Sequence, residues 1–346
     1  MRRVLIALLV ASSALAQQQQ GDETKEYKLP PVFKDSTPLE VTLIAPFKQL
    51  KRERRGATPY HAARILYASD SGVVSVPLRV KTRGIWRRAH CDLPPLRLNF
   101  AKDSVKHTVF HHMDKARLTM HCQNNNDYEQ YVLQEYQLYR VQQLITPLTL
   151  ATRLLHVTYV DSATNDTIAR RYAFVMEEDS AFAARVGGQA LATKGATADD
   201  LDRNELARFG VWEYFVGNTD FSVAGLHNVV LLTRDTSFYP VAHDYDFSGA
   251  VNATYAAPPQ ILQIRSVTER VMRGYCVPPQ YYDSAFALFQ EKKTAIYALY
   301  SDQLGSLIKR DVADKTLRFF DQFYKTIGNP RDAKTFIMDA CLGHTA

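Results

Sequence analysis

The stretch GNTDFSVAGLHNVVLLTRDTSFYPVAHDYDFSG, residues 217–249, decides the fold class that the sequence predicts. Two apolar runs, NVVLLTR and FYPVAHD, flank a short polar turn, and this pattern predicts a β-hairpin. Asp220 lies before the hairpin and Asn228 at its start, whereas Asp244 lies at its end and Asp246 just beyond it. A hairpin brings its two ends together, so we expect these four side chains to share one site. An Asp-x-Asp pair is also typical of a simple Asx turn.

The first half of the chain, upstream of this stretch, is rich in predicted strands. Alternating apolar and polar residues indicate strands in LEVTLIAP, SGVVSVPLRVKTRG, PPLRLNF, TRLLHVTYVDS and ARRYAFVMEED. One helix interrupts them, because NNNDYEQYVLQEYQLYRVQQLI changes to helical spacing, with Asn126 or Asp127 as its cap. After residue 178 the predicted elements are mainly helical, in TADDLDRNELARFGVWEYFVGN, PPQYYDSAFALFQEKKTAIYALYSDQLGSLI and DKTLRFFDQFYKTI.

The amino terminus carries the pattern of an export signal. Two arginines, an apolar run and Ala-Leu-Ala at 14–16 predict a signal peptide over residues 1–16. Residues 17–38 are polar and contain prolines, and they predict a flexible leader. No later segment has the ~18 apolar residues of a membrane helix, so we expect an exported protein, periplasmic, cell-surface or extracellular, without a membrane span. The formal net charge of +6 is too mild to indicate a nucleic-acid partner.

Four cysteines, at positions 91, 122, 276 and 341, lack the spacing of a zinc site. In an exported protein four cysteines can form two disulfides, with three possible connectivities. Pairing Cys91 with Cys122 and Cys276 with Cys341 would keep each bridge within one half of the chain.

The polar residues around the hairpin match the needs of phosphoryl transfer. That reaction uses a divalent metal on the phosphates and a carboxylate that orients the attacking hydroxyl. Kinase-like sites supply an Asp, an Asn several residues later and a second Asp at the end of a following strand. In this chain Asp220, Asn228 and Asp244 have that order and spacing.

Four stretches together resemble the CotH kinase-like family, atypical protein kinases named for a spore-coat protein. VKTRGIWRRAHCDLPPLRLNF is similar to the family's Arg-Gly turn and basic strand, and KARLTMHCQNNNDYEQYVLQEYQLYR to its Glu-bearing helix. VWEYFVGNTDFSVAGLHNVVL and YPVAHDYDFSGAV carry the Asp, Asn and Asp-x-Asp pattern, which is the more specific part of the resemblance.

The resemblance implies roles for the residues around the hairpin. Asp220 would orient or deprotonate the acceptor hydroxyl. Asn228 and Asp244 would bind Mg²⁺ or Mn²⁺, with Asp246 either a further metal ligand or a turn-former. His227 and His243 stand beside these residues and are predicted to support them.

The resemblance also implies a grip on the nucleotide phosphates. Glu135 would pair with a strand lysine, but the strand carries Arg97 where the lysine is expected. Lys81 and Lys115 are the nearby alternatives. No GxGxxG loop is present, and the residues that could cover the phosphates instead form the basic turn at Arg83, Gly84, Arg87 and Arg88.

These observations lead to one prediction of fold and function. The fold is expected to be α+β and two-lobed, like a protein kinase, with a β-rich lobe at 39–178 and a mainly helical lobe at 179–346. The expected activity is metal-dependent transfer of a phosphoryl group from ATP to a hydroxyl, such as a Ser or Thr of an exported protein. Because ATP is scarce outside the cytoplasm, three alternatives remain open: a catalytically degenerate binding or scaffold protein, nucleotidyl transfer, and a calcium-stabilised structural domain.

Overall fold

The fold is built around a closed β-barrel. The structure, a computed structural model, describes residues 27–343. The barrel has seven strands in the order β1-β2-β3-β4-β5-β7-β6. Their bounds are β1 Leu39–Ala45, β2 His61–Ser69, β3 Gly72–Thr82, β4 Leu96–Phe100, β5 Lys115–Thr119, β6 Thr152–Asp161 and β7 Thr167–Glu177.

One parallel pairing closes the barrel. β1 pairs in parallel with β6 from Leu39 opposite Leu155 to Ala45 opposite Asp161, whereas every other neighbouring pair in the barrel is antiparallel. Every second residue along each strand points inward, and in β1 the residues at 41, 43 and 45 are buried. These inward residues form one apolar core, in which Phe100 stacks on Phe110.

A second sheet and most of the helices follow the barrel in the chain. The sheet has the order β10-β9-β8, with β8 at Gln189–Leu191, β9 at Val229–Arg234 and β10 at Ser237–Ala242. The α-helices are α1 Phe47–Leu50, α2 Trp86–His90, α3 Asn126–Ile145, α4 Asp179–Arg185, α5 Arg203–Val216, α6 Pro279–Ala298, α7 Arg310–Ile327 and α8 Pro330–Ala333. A π-helical turn spans Lys334–Met338, and short 3₁₀ turns lie at Pro31–Phe33, Ala198–Asp200, Gln260–Leu262 and Gly305–Leu307.

Helix α3 lies between the barrel and the later helices, and this position explains its composition. Asn125 caps it by accepting hydrogen bonds from the backbone N–H groups of Asp127 and Tyr128. Its buried residues include Val132 and Tyr139 on the apolar core, but also Glu135. A buried glutamate requires a partner, and the partner belongs to the site described below.

The prediction of a two-lobed kinase-like fold is wrong. The β-rich part is a closed seven-stranded barrel, and the part after residue 178 contains a three-stranded sheet as well as helices. The individual strands and helices were largely predicted, including the hairpin of β9 and β10. The error lies in how the strands assemble, because local alternation does not show that β1 pairs with β6.

Two disulfides form in the pairing considered from the sequence. Cys91 is bonded to Cys122 and Cys276 to Cys341. Disulfides persist in oxidising compartments, and these two are consistent with an exported protein.

The predictions for the amino terminus can be compared with the structure only from residue 27 onward. The predicted signal peptide, residues 1–16, lies outside the described residues. Within the predicted leader, Val32 is buried and its backbone N–H donates to the carbonyl of Val109, so this part of the leader packs against the barrel. Among residues 27–343, no helix is both long and apolar enough to cross a membrane.

Candidate functional site

A cleft of about 710 Å³ collects most of the residues that the sequence singled out. Its wall on one side is the turn from Arg83 to Arg87, at the start of α2. On the other side lie the segments that enter β9 and leave β10, together with part of β8. Asp220, Asn228 and Asp244 all line this one cleft, and Asp246 does so as well.

The local backbone explains how the three polar residues meet. Helix α5 ends at Gly217, which has a left-handed conformation (φ 65°), and a Cβ there would lie 2.7 Å from the ring of Phe319. The chain then reaches Asn228 just before β9. The backbone N–H of His243 donates to the Asn228 carbonyl at 3.1 Å, so the residues that flank the hairpin are cross-strand neighbours.

Asn228 and Asp244 both have left-handed backbone conformations, with φ of 54° and 67°. Asn and Asp enter this region more readily than other non-glycine residues, but the conformation still costs energy, and such residues cluster at functional sites. The Asp244 backbone is held in place, since its N–H donates to the hydroxyl oxygen of Tyr139 on α3 at 2.9 Å.

Three contacts fix the backbone N–H and the carboxylate of Asp220. Its backbone N–H donates to the side-chain oxygen of Asn218 at 2.9 Å. One carboxylate oxygen, Oδ1, lies 3.0 Å from Nε2 of His227, as the proximity of these residues in sequence suggested. The other, Oδ2, accepts from Nδ2 of Asn228 at 3.2 Å. The Asp220 side chain is 37% exposed, so the oriented carboxylate remains accessible from the cleft.

The nitrogen and the oxygen of the Asn228 carboxamide have different roles. Nδ2 donates to both the backbone carbonyl and the carboxylate of Asp220. These two bonds set the orientation of the carboxamide. The side-chain oxygen Oδ1 of Asn228 is therefore the atom that can bind a ligand.

A buried carboxylate cluster lies deeper in the site. One oxygen from each of Glu135, Asp244 and Asp246 lies within 4.8 Å of the other two. Arg87 pairs with two of them: Nη2 lies 2.8 Å from Oε2 of Glu135, and Nε lies 2.7 Å from Oδ2 of Asp246. Asp246 Oδ2 also accepts from the hydroxyl of Tyr255 at 3.1 Å.

The carboxyl groups of Asp244 and Asp246 in this cluster have pKa values that are shifted in opposite directions. Burial would raise the pKa of Asp244, but the guanidinium groups of Arg87 and Arg83 outweigh burial and lower it to about 2. Burial raises the pKa of Asp246 well above its usual range, and repulsion from Asp244 and Glu135 adds to this effect despite the attraction of Arg87. Asp244 therefore ionises first and carries the charge that faces the cleft.

Arg83 supplies a cation without an anionic partner. Its side chain lines the cleft, yet among residues 27–343 it makes neither an ion pair nor a hydrogen bond, and its Nε is buried. Burial and the nearby charge of Arg117 lower the pKa of Arg83, while Asp244 opposes them. Among the described residues no carboxylate contacts this guanidinium directly, which favours an anionic ligand such as a phosphate.

The predicted pairing of Arg97 with Glu135 does not form. Arg97 Nη2 donates to Glu178 Oε2 at 2.9 Å, whereas Glu135 pairs with Arg87. The reason is position: Arg97 lies on β4 opposite Lys81 and Arg117, and its side chain reaches the carboxylate just after β7.

The alternative lysines and the other residues of the basic turn are also placed by the structure. The ammonium group of Lys81 lies 4.8 Å from the ring centre of Tyr60, and that of Lys115 lies 3.7 Å from a carboxylate oxygen of Asp114. Neither lysine lines the cleft. Gly84 does line it, whereas Arg88 donates to the backbone carbonyl of Gly56 at 2.9 Å, outside the cleft.

Sequence reasoning missed the supporting aromatic residues. Tyr139 holds the Asp244 backbone, and Tyr255 holds Asp246 while its ring stacks on Trp86 at 4.9 Å. Tyr139 lies on α3 one turn after Glu135, and this spacing is the one sequence signal of its role. Tyr255 lies nine residues beyond Asp246, and nothing in its sequence context distinguishes it.

The donor set fits a hard divalent cation. The carboxylate of Asp244 and Oδ1 of Asn228 are oxygen ligands of the kind that Mg²⁺ and Mn²⁺ prefer. The low pKa of Asp244 keeps its carboxylate ionised, as a metal ligand requires. Asp246 contributes less readily, because Arg87 and Tyr255 already occupy its Oδ2.

No protein-family model matches the chain, and no curated protein sequence is significantly similar to it.

Proposed function

We propose that this chain is a metal-dependent phosphotransferase that moves the γ-phosphoryl group of a nucleotide such as ATP to a hydroxyl acceptor. One observation carries the proposal: Asp220, Asn228 and Asp244 line a single cleft together with Arg83, whose guanidinium forms no ion pair with any residue between 27 and 343. These four residues supply the acceptor base, the metal ligands and the phosphate contact that the reaction needs. The proposal rests on the site and not on a kinase fold.

Asp220 acts on the acceptor. His227 and Asn228 each hold one oxygen of its carboxylate, so the group is oriented towards the cleft while it stays accessible. The acceptor oxygen forms a bond to the γ-phosphorus, and the bond from that phosphorus to the nucleoside diphosphate breaks. The hydroxyl proton passes to the Asp220 carboxylate, which accounts for every atom of the transfer.

Asn228 and Asp244 hold the metal, and Arg83 binds phosphate. Mg²⁺ or Mn²⁺ bound there would neutralise phosphate charge. The ionised Asp244 contributes a fixed negative charge, and the Asn228 carboxamide, oriented by Asp220, presents its oxygen. The Arg83 guanidinium would bind phosphate oxygens in a site where water screens the interaction poorly.

The similarity of four stretches to the CotH kinase-like family supports the same activity, with an exported protein as the expected acceptor. A second candidate is a catalytically degenerate protein that binds a nucleotide without transferring its phosphate. The commitment of Arg97 to Glu178 favours this candidate, because it leaves the nucleotide without the predicted strand cation.

Binding and transfer can be tested separately. A thermal melt of the purified chain should shift upwards with ATP and Mn²⁺ together, since a ligand that binds only the folded state stabilises it. The D244N variant should lose this shift. Absence of any shift in the unmodified chain would contradict the proposal.

Transfer is then followed by intact-mass analysis of the chain and of casein as a generic Ser/Thr acceptor. Addition of one phosphate supports phosphoryl transfer, and the D220N variant should lose it while it retains the ATP-dependent shift. Addition of a nucleoside monophosphate would establish nucleotidyl transfer instead. Binding without any mass change would identify the degenerate protein.

A further inference from the structure

Arg87 lies inside the carboxylate cluster, where a cation is expected. Its Nε and Nη2 contact Asp246 and Glu135 at 2.7 and 2.8 Å, and its side chain is only 11% exposed. The oxygens of Glu135, Asp244 and Asp246 are close enough to one another, within 4.8 Å, to bind one ion in common. The guanidinium and such an ion would compete for the same carboxylate groups.

The position of Arg87 is fixed by its surroundings. Cys91 directly follows α2 and is bonded to Cys122. At the other end of α2, the ring of Trp86 stacks between His90, at 4.5 Å, and Tyr255, at 4.9 Å. Both ends of this five-residue helix are therefore held, which fixes the backbone that carries Arg87.

Asp244 is shared between two neighbouring positions for a cation. On the cleft side it lines the same pocket as Asn228, and the proposed function places its metal between these two residues. On the inner side it joins Glu135 and Asp246, where Arg87 supplies the positive charge. Two divalent ions at such positions are common in phosphoryl transfer, but here one of the two positions contains a side chain.

We propose that Arg87 is a tethered cation that takes the place of a second divalent ion, so that this site works with a single metal. This inference rests on the proposed function. It makes Arg87 a positioning residue that orients Glu135 and Asp246, and it leaves only the ion between Asp244 and Asn228 exchangeable.

The test is calorimetric titration of the apo protein with Mn²⁺ alone. Without nucleotide, the outer position offers two protein ligands, whereas the inner position offers three carboxylates once Arg87 is removed. The R87M variant should therefore bind one Mn²⁺ at least about tenfold more tightly than the unmodified chain, because a competing positive charge has been removed. R87K, which keeps the charge, should show no such gain.

R88M is the matched control. It removes the same charge from the same helix, but Arg88 contacts Gly56 outside the cleft. R88M should bind Mn²⁺ as the unmodified chain does. Equal Mn²⁺ affinity in R87M and R88M overturns the inference. Circular dichroism verifies folding, and R87Q replaces R87M if the latter does not fold.

The proposed function and this inference fail in different ways. The function fails if ATP and Mn²⁺ do not stabilise the unmodified chain. The inference fails if R87M gains no affinity for Mn²⁺ alone, whatever the response of the unmodified chain to nucleotide.

Discussion

Replacing Asp244 with asparagine should lower the stability of the metal-free protein. Three crowded oxygen-bearing side chains would by themselves repel one another, and the loss of one charge would then relieve the repulsion. In the structure, Arg83 and Arg87 stand beside Asp244 and lower its pKa to about 2, although burial opposes them. The carboxylate charge is thus stabilised in the folded state.

The size and the pH range of the effect follow from this shift. The unperturbed pKa is 3.8, and each pKa unit corresponds to ~1.4 kcal/mol. Ionised Asp244 therefore contributes about 2 kcal/mol to the free energy of unfolding. Because the folded pKa is the lower one, this contribution is fully present above pH 3.8 and is lost as the pH falls through about 2.

Urea unfolding at pH 7 in the presence of a chelator measures this difference. D244N should be about 2 kcal/mol less stable than the unmodified chain. D220N is the matched control, because Asp220 lies at the accessible rim of the cleft, and its substitution should change stability by less than about 0.5 kcal/mol. If D244N is as stable as the unmodified chain or more stable, then repulsion among the carboxylates dominates and our account of the charge distribution is incorrect.

Three further predictions concern the phosphate contact, a buried histidine and a disulfide. R83Q should weaken ATP binding in the presence of Mn²⁺ by about tenfold, because a charge-assisted contact is lost, while R97Q should not weaken it. Equal affinities of R83Q and R97Q for ATP in a calorimetric titration would contradict this role of Arg83. Burial, and to a smaller extent the charge of Arg171, lowers the pKa of His121 from 6.5 to about 4. As the pH falls below 6.5, the unfolded chain therefore binds a proton before the folded chain does, and stability falls. Between pH 8 and 5 the unmodified chain should lose about 2 kcal/mol more than H121F in urea unfolding, and equal losses would contradict this prediction. Replacing Cys91 and Cys122 together with serine should reduce the free energy of unfolding by roughly 3 to 4 kcal/mol, from the 31-residue loop that the bridge closes; an unchanged denaturant midpoint would show that the bridge is dispensable.

Local sequence patterns predicted the elements of the fold but not their assembly. The hairpin of β9 and β10 and the long helices were evident from periodicity, because both depend on neighbours within a few residues. The pairing of β1 with β6 joins Leu39 to Leu155. No local pattern encodes a contact over that distance, so the closed barrel was mistaken for one lobe of a kinase.

The candidate site was likewise predictable from the sequence only in part. Asp220, Asn228 and Asp244 surround one hairpin, and their meeting in one cleft could be expected from its turn alone. The partner of Glu135 could not, because four arginines, at positions 83, 87, 88 and 97, were close enough in sequence to serve. The choice depends on the direction of the chain at α2, which tertiary contacts determine.

The Cys91–Cys122 bridge determines much of that direction. Cys91 directly follows the helix that carries Arg87, and Cys122 lies just before the helix that carries Glu135. The backbone N–H of Asp92 also donates to the Cys122 carbonyl at 2.8 Å. A buried ion pair stabilises a fold only when its geometry is well fixed, because desolvation otherwise exceeds the attraction. An oxidising compartment therefore does more than stabilise this protein: it closes the bridge that aligns the two helices, and so places the guanidinium among the carboxylates from which the metal site is built.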